Sequence, residues 1–154
     1  RNPRIHIPII GNGDITSLGK ADEAFDRYGV DAVMIGRATF GCPWFFNRNT
    51  LSLAERMHLL RKQLQINIER LTADAVSRND ERDMQMAELR GILHTRRHLA
   101  ATPLFKGIPD FRQTRIAMLR ANTLAELNPI LDEAERRVME YEAGLVAKRE
   151  TEEA

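Results

Sequence analysis

IPIIGNGD, residues 7–14, is an apolar run that ends in two glycines, and VDAVMIGR, residues 30–37, repeats this arrangement one helix later. Short apolar runs bounded by glycine are typical of buried parallel strands. Between the two runs, an N-cap at Thr16 or Ser17 and a terminal Gly29 predict a helix. We therefore predict a βαβ unit in which the two strands pair in parallel.

The glycine-containing turns after the two predicted strands favour a phosphate site. A phosphate can approach backbone N–H groups closely only where side chains do not block it, and Arg37 could add a charged contact. Such turns are typical of the phosphate end of a (β/α)8 barrel. A complete barrel needs roughly 250 residues, so this chain of 154 residues is too short to hold one. Two ordinary βα turns are the alternative interpretation.

The sequence changes character near residues 47–52, and helix signals dominate after that point. Ser52-Leu53-Ala54-Glu55 is a capping box that begins an amphipathic helix, and residues 72–80 resemble a loop or a frayed helix end. A second helix is predicted from about Glu81 to Ala100, with Leu89, Ile92 and Leu93 facing inward. A third is predicted to be capped by Asp110. Thr123–Glu126 forms another capping box for a last helix, which a restart at Asn128-Pro129 could interrupt. A last apolar stripe predicts the edge of a helical bundle and comprises Leu127, Leu131, Ala134, Val138, Tyr141 and Leu145.

These patterns predict a mainly α fold, a C-terminal helical bundle preceded by a βαβ remnant of a TIM (β/α)8 barrel. The expected domains are residues 1–49, the incomplete barrel end, and 50–147, the helical domain, with a disordered tail over 148–154. The aromatic segment around Trp44 is expected to plug the space between the two domains. Unpaired strand edges and apolar faces in residues 1–46 predict self-association or irregular packing onto the helices.

Composition is that of a globular protein, with 43% hydrophobic and 29% charged residues among 154. No apolar run approaches the ~20 residues of a membrane span, so no membrane association is expected. The single cysteine, Cys42, fits a reducing, cytoplasmic location. Because the chain begins with Arg1 instead of methionine, we expect it to be a piece of a longer protein; removal of the methionine by processing is the alternative.

Positive charge is concentrated between residues 90 and 120, which hold seven basic residues and one acid, Asp110. Such a stretch predicts a surface that binds a polyanion, although solvated helix faces are the alternative. The candidate RNA-binding residues are Arg96, Arg97, His98, Lys106, Arg112, Arg115 and Arg120. His94 and His98 have a metal-like spacing without further ligands, so no metal site is predicted.

Three segments together resemble the tRNA-dihydrouridine synthase family. They are residues 7–15 (IPIIGNGDI), 29–38 (GVDAVMIGRA) and 41–46 (GCPWFF), and the similarity continues at Arg97-His98 and Lys106-Gly107. The resemblance implies an FMN-dependent barrel followed by a helical domain that helps to hold tRNA. It implies reduction of the C5–C6 bond of uridines, with NADPH reducing the flavin and a cysteine acid protonating C5.

The resemblance also implies roles for individual residues. The family's FMN-binding motif falls on Asn12, Gly13, Asp14, Gly36 and Arg37. The catalytic cysteine is expected upstream of this chain, so no catalytic residue is assigned here and the chain alone is expected to be inactive. Cys42 is expected to have only a packing role. Two alternatives stay open: a non-catalytic RNA-binding helical module, and a fragment of another FMN-binding barrel oxidoreductase.

Overall fold

The computed structural model describes residues 6–152, which are mainly helical. Five α-helices and one two-stranded parallel sheet occur in this part of the chain. Short 3-10 turns lie at Arg37–Thr39 and Pro103–Phe105. The elements in chain order are β1 (Ile10–Asn12), α1 (Leu18–Tyr28), β2 (Ala32–Met34), α2 (Leu53–Ser77), α3 (Glu81–Ala101), α4 (Arg112–Arg120) and α5 (Leu124–Glu152).

The predicted βαβ unit is confirmed. β1 and β2 pair in parallel, with Asn12 opposite Met34, so both strands end at the same edge of the sheet. The Ser17 side chain accepts a hydrogen bond from the N–H of Lys20 at the start of α1, and Gly29 ends the helix in the left-handed conformation. Each strand is three residues long, shorter than the apolar runs suggest.

Helices α2 and α3 form an antiparallel hairpin. The predicted capping box is present, because Ser52 Oγ accepts from the N–H of Glu55 and the Glu55 carboxylate accepts from the N–H of Ser52. The predicted loop over 72–80 is wrong up to Ser77, since α2 continues that far and buries Ala75 completely. The turn itself is shorter, and Asp80 caps α3 through the N–H of Asp83.

The two hairpin helices approach each other closely at Gly91. A Cβ added to this buried glycine would lie 2.4 Å from Ile68 Cγ1 and 2.9 Å from Ile68 Cα. Thr95, one turn later, is completely buried; its hydroxyl donates to the Gly91 carbonyl and accepts from Asn67 Nδ2 of α2. Only glycine fits at position 91 without separating the helices.

The core joins the hairpin to α4 and α5. Phe105 and Phe111 stack with ring centroids 5.0 Å apart, and Trp44 packs against the same cluster, as expected for a plug. The predicted stripe on α5 is buried from Leu127 to Val138, whereas Leu145 is exposed. The fully buried large side chains of the described residues include Met57, Leu60, Ile92, Leu99, Met118, Leu127 and Leu131.

Three local predictions need correction. Leu93, expected inward, is 43% exposed. Asp110 does not cap α4, because its own φ of 52° places it in a left-handed turn before the helix begins at Arg112. The predicted restart at Asn128-Pro129 is wrong, since α5 begins at Leu124 and Pro129 lies inside it. α5 runs to Glu152, so residues 148–152 of the predicted disordered tail lie in this helix. Disorder of the tail stays a prediction, and residues 153 and 154 lie outside the described residues.

The substitution Gly91→Ala should destabilise the protein, because the new methyl group must push α2 away from α3. We expect the free energy of unfolding to fall by about 1–3 kcal/mol, measured by urea denaturation. The matched control is Gly144→Ala on α5, where a Cβ meets no described atom within 4 Å and the gain in helix propensity should stabilise by about 0.5–1 kcal/mol. Equal effects at both positions would contradict the close approach.

Candidate functional site

An open cleft lies at the edge of the sheet where β1 and β2 end. Its volume is ≈ 810 Å³, within the range of small-molecule sites. The parallel register brings the loops that follow the two strands side by side. All five residues predicted from the family's FMN motif line it, and the complete lining is Asn12, Gly13, Asp14, Ile15, Thr16, Met34, Gly36, Arg37 and Ala38.

The glycines keep the walls of this cleft free of side chains. A Cβ at Gly13 or Gly36 would meet no described atom within 4 Å. Gly13 also has a φ of 150°, which side chains rarely adopt, and Asp14 follows in the left-handed region. Both glycines therefore face open space that a ligand can occupy.

The loop after β2 is held by its own turn. Thr39 Oγ1 donates to the Gly36 carbonyl at 2.8 Å, and the N–H of Thr39 donates to the same oxygen at 3.0 Å. Among hydrogen bonds between residues 6–152, none is donated by the backbone N–H of Gly36, Arg37 or Ala38. Free N–H groups next to a glycine suit an anion.

Arg37 forms an ion pair with Asp14 across the cleft. Both side chains are largely exposed, at 82% and 77%, so the pair contributes little to stability. The sequence predicts that Arg37 contacts a phosphate directly. To contact a phosphate, the Arg37 guanidinium must break its ion pair with Asp14 or share its N–H donors between the carboxylate and the phosphate. Sequence spacing alone does not reveal that Asp14 competes with a phosphate for Arg37.

Two of the seven predicted RNA-binding residues, Arg96 and His98, are hydrogen-bonded within the fold. Arg96 reaches back to the end of α4, where its Nη2 donates to the Ala121 carbonyl and to Asn122 Oδ1, both at 2.8 Å. Its Nε is buried and has no hydrogen-bond partner among the described atoms. Arg96 therefore holds the C-terminus of α4 against α3.

Lys106, Arg112 and Arg115 are brought together by the structure. They line a second cleft of ≈ 540 Å³ beside Phe105, Phe111 and Asp110. None of the three basic side chains has an ion pair within the described part of the chain. Arg97 and Arg120 do not line this cleft. The three clustered cations form a small basic cleft that can contact phosphates.

His98 has a structural partner of its own. Its Nδ1 accepts a hydrogen bond from the N–H of Gly41 at 3.2 Å, and its ring packs edge-on against Phe40, with centroids 5.8 Å apart. Burial, assisted by the charge of Arg97, lowers the pKa of His98. The neutral form of the ring is therefore favoured, and the contact of His98 with a phosphate stays a prediction.

Gly41 makes the tightest glycine contact between the βαβ segment and the helices. A Cβ there would lie 2.3 Å from Thr102 N and 2.6 Å from the His98 carbonyl oxygen. Its φ of 71° also favours glycine. The end of α3 and the loop after β2 are therefore in direct backbone contact. The glycine at position 41 is the one sequence signal that could have indicated this contact.

Cys42 lies outside the phosphate cleft. It is half-buried beside Trp44, where burial raises the pKa of its thiol. No group of three or more His, Cys, Asp or Glu side chains suited to a metal occurs among residues 6–152. In the same range, no helix is long and apolar enough to cross a bilayer.

Comparisons with known proteins point to one family. The sequence profile described as dihydrouridine synthase (Dus) matches residues 2–139. A probable tRNA-dihydrouridine synthase of Aquifex aeolicus is 26% identical over 141 residues, which cover 88% of this chain and 39% of that protein. tRNA-dihydrouridine synthase B of Salmonella typhimurium is 56% identical over 43 residues, 28% of this chain and 13% of the relative. The chain thus spans 39% or less of the length of these two relatives.

The lowered pKa of His98 predicts how stability depends on pH. Since the folded pKa is lowered, the unfolded chain takes up the proton first as pH falls through about 6.5, the ordinary histidine value. Stability should therefore be full above that pH and decline below it until the folded pKa is reached. We expect His98→Asn to reduce this loss between pH 7.5 and 5.5, measured by urea denaturation.

The matched control is His94→Asn, at an exposed position one turn earlier on α3. It should leave the pH dependence as in the wild-type chain. An unchanged pH dependence in His98→Asn would contradict the lowered pKa of His98.

Proposed function

This chain belongs to the dihydrouridine synthase family, and on that premise we propose that it is the C-terminal portion of an FMN-dependent tRNA-dihydrouridine synthase. The βαβ unit would be the last part of a TIM-type (β/α)8 barrel, and residues 50–147 would form the helical tRNA-binding domain. The observation that carries the proposal is the cleft at the shared end of two parallel strands, lined by glycines from both loops.

The cleft is proposed to hold the phosphate of FMN. The glycine walls leave room where a Cβ would otherwise project, and the free N–H groups of residues 36–38 can donate to phosphate oxygens. Arg37 would supply a charge-assisted contact on release from Asp14. Asn12 and Gly13 would form the opposite wall.

Bound FMN, reduced by NADPH, would supply the hydride for the C5–C6 bond of uridine. The described residues of this chain would bind and orient its phosphate end. Cys42 is not proposed as the acid, because it lines a different cleft beside Trp44 and is half-buried. We propose that this chain alone does not reduce uridine.

The helical domain is proposed to contact the tRNA backbone through its unpaired cations. The basic cleft of Lys106, Arg112 and Arg115 supports this assignment, and Arg97 and Arg120 can add contacts. Phosphate contacts of this kind recognise shape more than sequence. Arg96 and His98 are left out of the interface because both are bonded within the fold.

Exposed apolar side chains on the βαβ unit support a further contact. Ile10 is 63% exposed on β1 and Met34 is 57% exposed on β2. Short strands that expose apolar side chains and unpaired edges favour contact with another apolar surface. We propose that they pack against the rest of the barrel in the full-length protein and favour self-association of the isolated chain.

A non-catalytic RNA-binding module is the second candidate for the isolated chain. The ion pair of Arg37 with Asp14 favours it, because the carboxylate neutralises the cation that FMN would need. Flavin binding separates the two candidates, whereas tRNA binding is common to both.

The substitution Gly36→Ala should block phosphate from the cleft without disturbing the chain, since its Cβ meets no described atom. We expect an affinity for FMN at least roughly tenfold lower, and a similar decrease in Arg37→Ala, which removes one charged hydrogen bond. Flavin fluorescence titration measures both. Gly144→Ala is the control.

Riboflavin, which has no phosphate, provides the decisive comparison. The wild-type chain should bind FMN more tightly than riboflavin, and the two variants should remove that preference. Equal affinities for FMN and riboflavin in the wild-type chain would refute the phosphate assignment.

Removing the basic cleft should weaken tRNA binding in a salt-dependent way. In Lys106→Ala/Arg112→Ala/Arg115→Ala, the slope of log K against log salt should shrink by roughly 0.7–0.9 for each phosphate that the variant no longer binds. Filter binding across salt concentrations measures it. The control is Arg82→Ala, since Arg82 lies in the first turn of α3, about 28 Å along the helix from its other end at Ala101. Equal slopes in the triple variant and the control would sink the assignment.

A further inference from the structure

The cleft and the helical domain are connected by one short segment, which we call the phosphate loop, residues 36–42. Its first residues line the cleft, and Gly41 contacts α3. Three consecutive hydrogen bonds make it a rigid series of turns: Thr39 N to Gly36 O, Phe40 N to Arg37 O and Cys42 N to Thr39 O, all 3.0–3.1 Å. A displacement at Gly41 must therefore move the cleft wall.

His98 is the side chain that fixes the Gly41 end of this loop. Because Nδ1 accepts the Gly41 N–H, the proton of the neutral ring must sit on Nε2. Gln63 Nε2 of α2 lies 3.4 Å from the same Nδ1, and Phe40 packs edge-on against the ring. His98, itself on α3, thus contacts two loop residues and α2.

The loop's end also fits only one position on the helix. The backbone of Gly41 lies against His98 and Thr102 so closely that no Cβ can be inserted. A helix-to-loop contact with no free space transmits any rotation of the end of α3. The hydrogen bond to Nδ1 selects the direction in which the loop lies on that surface.

We propose that His98 is a positioning residue through which the helical domain sets the geometry of the phosphate loop and thereby the affinity of the cleft for phosphate. The effect of His98 on phosphate affinity, the affinity part, rests on the proposed function. Its effect on the geometry of the loop, the positioning part, rests on the contacts alone. His98 then acts on the phosphate site through the loop, although it lies on a helix assigned to RNA and does not line the cleft.

Three variants of the whole 154-residue chain test this role. His98→Ala removes the acceptor and the ring. His98→Asn keeps an acceptor, because Asn Oδ1 is attached to Cγ as Nδ1 is in histidine. His94→Ala is the matched control on the same helix, at an exposed position. Residue-resolved amide hydrogen exchange at Phe40, Gly41 and Cys42 reports the loop directly, and FMN and inorganic phosphate titrations report the cleft.

In His98→Ala we expect faster exchange at Gly41 and an FMN affinity lower by roughly tenfold, the equivalent of one net hydrogen bond. His98→Asn should restore both to within about twofold, and His94→Ala should change neither. A general disruption of packing would not be rescued by asparagine, so rescue separates positioning from mere stability.

Two results would overturn the inference: unchanged Gly41 exchange in His98→Ala, or equal defects in His98→Ala and His98→Asn. If the wild-type chain binds neither FMN nor phosphate, the proposed function and the affinity part fail together. The exchange measurement then still decides whether His98 positions the loop.

Discussion

The rest of the structure depends on the close contact between α2 and α3 at Gly91. Because no side chain separates the helices there, α3 lies in a fixed rotation on α2, with Thr95 buried against Asn67. That rotation determines what the following turns of α3 can reach. Arg96 is directed to the end of α4, and His98 to the loop after β2. One helix contact therefore orients both the bundle and the cleft.

The two clefts differ in how their binding groups are supplied. The cleft at the strand ends offers backbone groups and glycine-lined space, and the cation that lines it, Arg37, is paired with Asp14. The basic cleft offers three side-chain cations around a turn with one acid. The first arrangement suits one small anion in a defined place, whereas the second suits a flexible array of phosphates. This division agrees with the FMN and tRNA sites that we propose for the two clefts.

Features with local causes could be predicted from sequence. The capping box at Ser52, the left-handed end of α1 at Gly29 and the set of residues around the first cleft depend on neighbours within one supersecondary unit. Tertiary hydrogen bonds could not. Charge alone marks Arg96 as a cation for RNA, and only the folded chain shows that two acceptors from the turn after α4 occupy it. The sequence underestimates the length of α2 because packing on α3 outweighs the polar residues near its end.

Arg96 and Arg97 are adjacent and chemically identical, yet they should tolerate change differently. Arg96 satisfies acceptors after the end of α4 from one terminal nitrogen, with its Nε buried. A lysine carries a compact ammonium on a flexible stem and lacks the rigid planar group that Arg96 packs into this site with its Nε buried. Arg97 is exposed, and a point charge can replace it. Over evolutionary time, position 96 should stay arginine, whereas position 97 should often change to lysine. The two positions should therefore differ in the substitutions that related proteins carry, although both are arginine here.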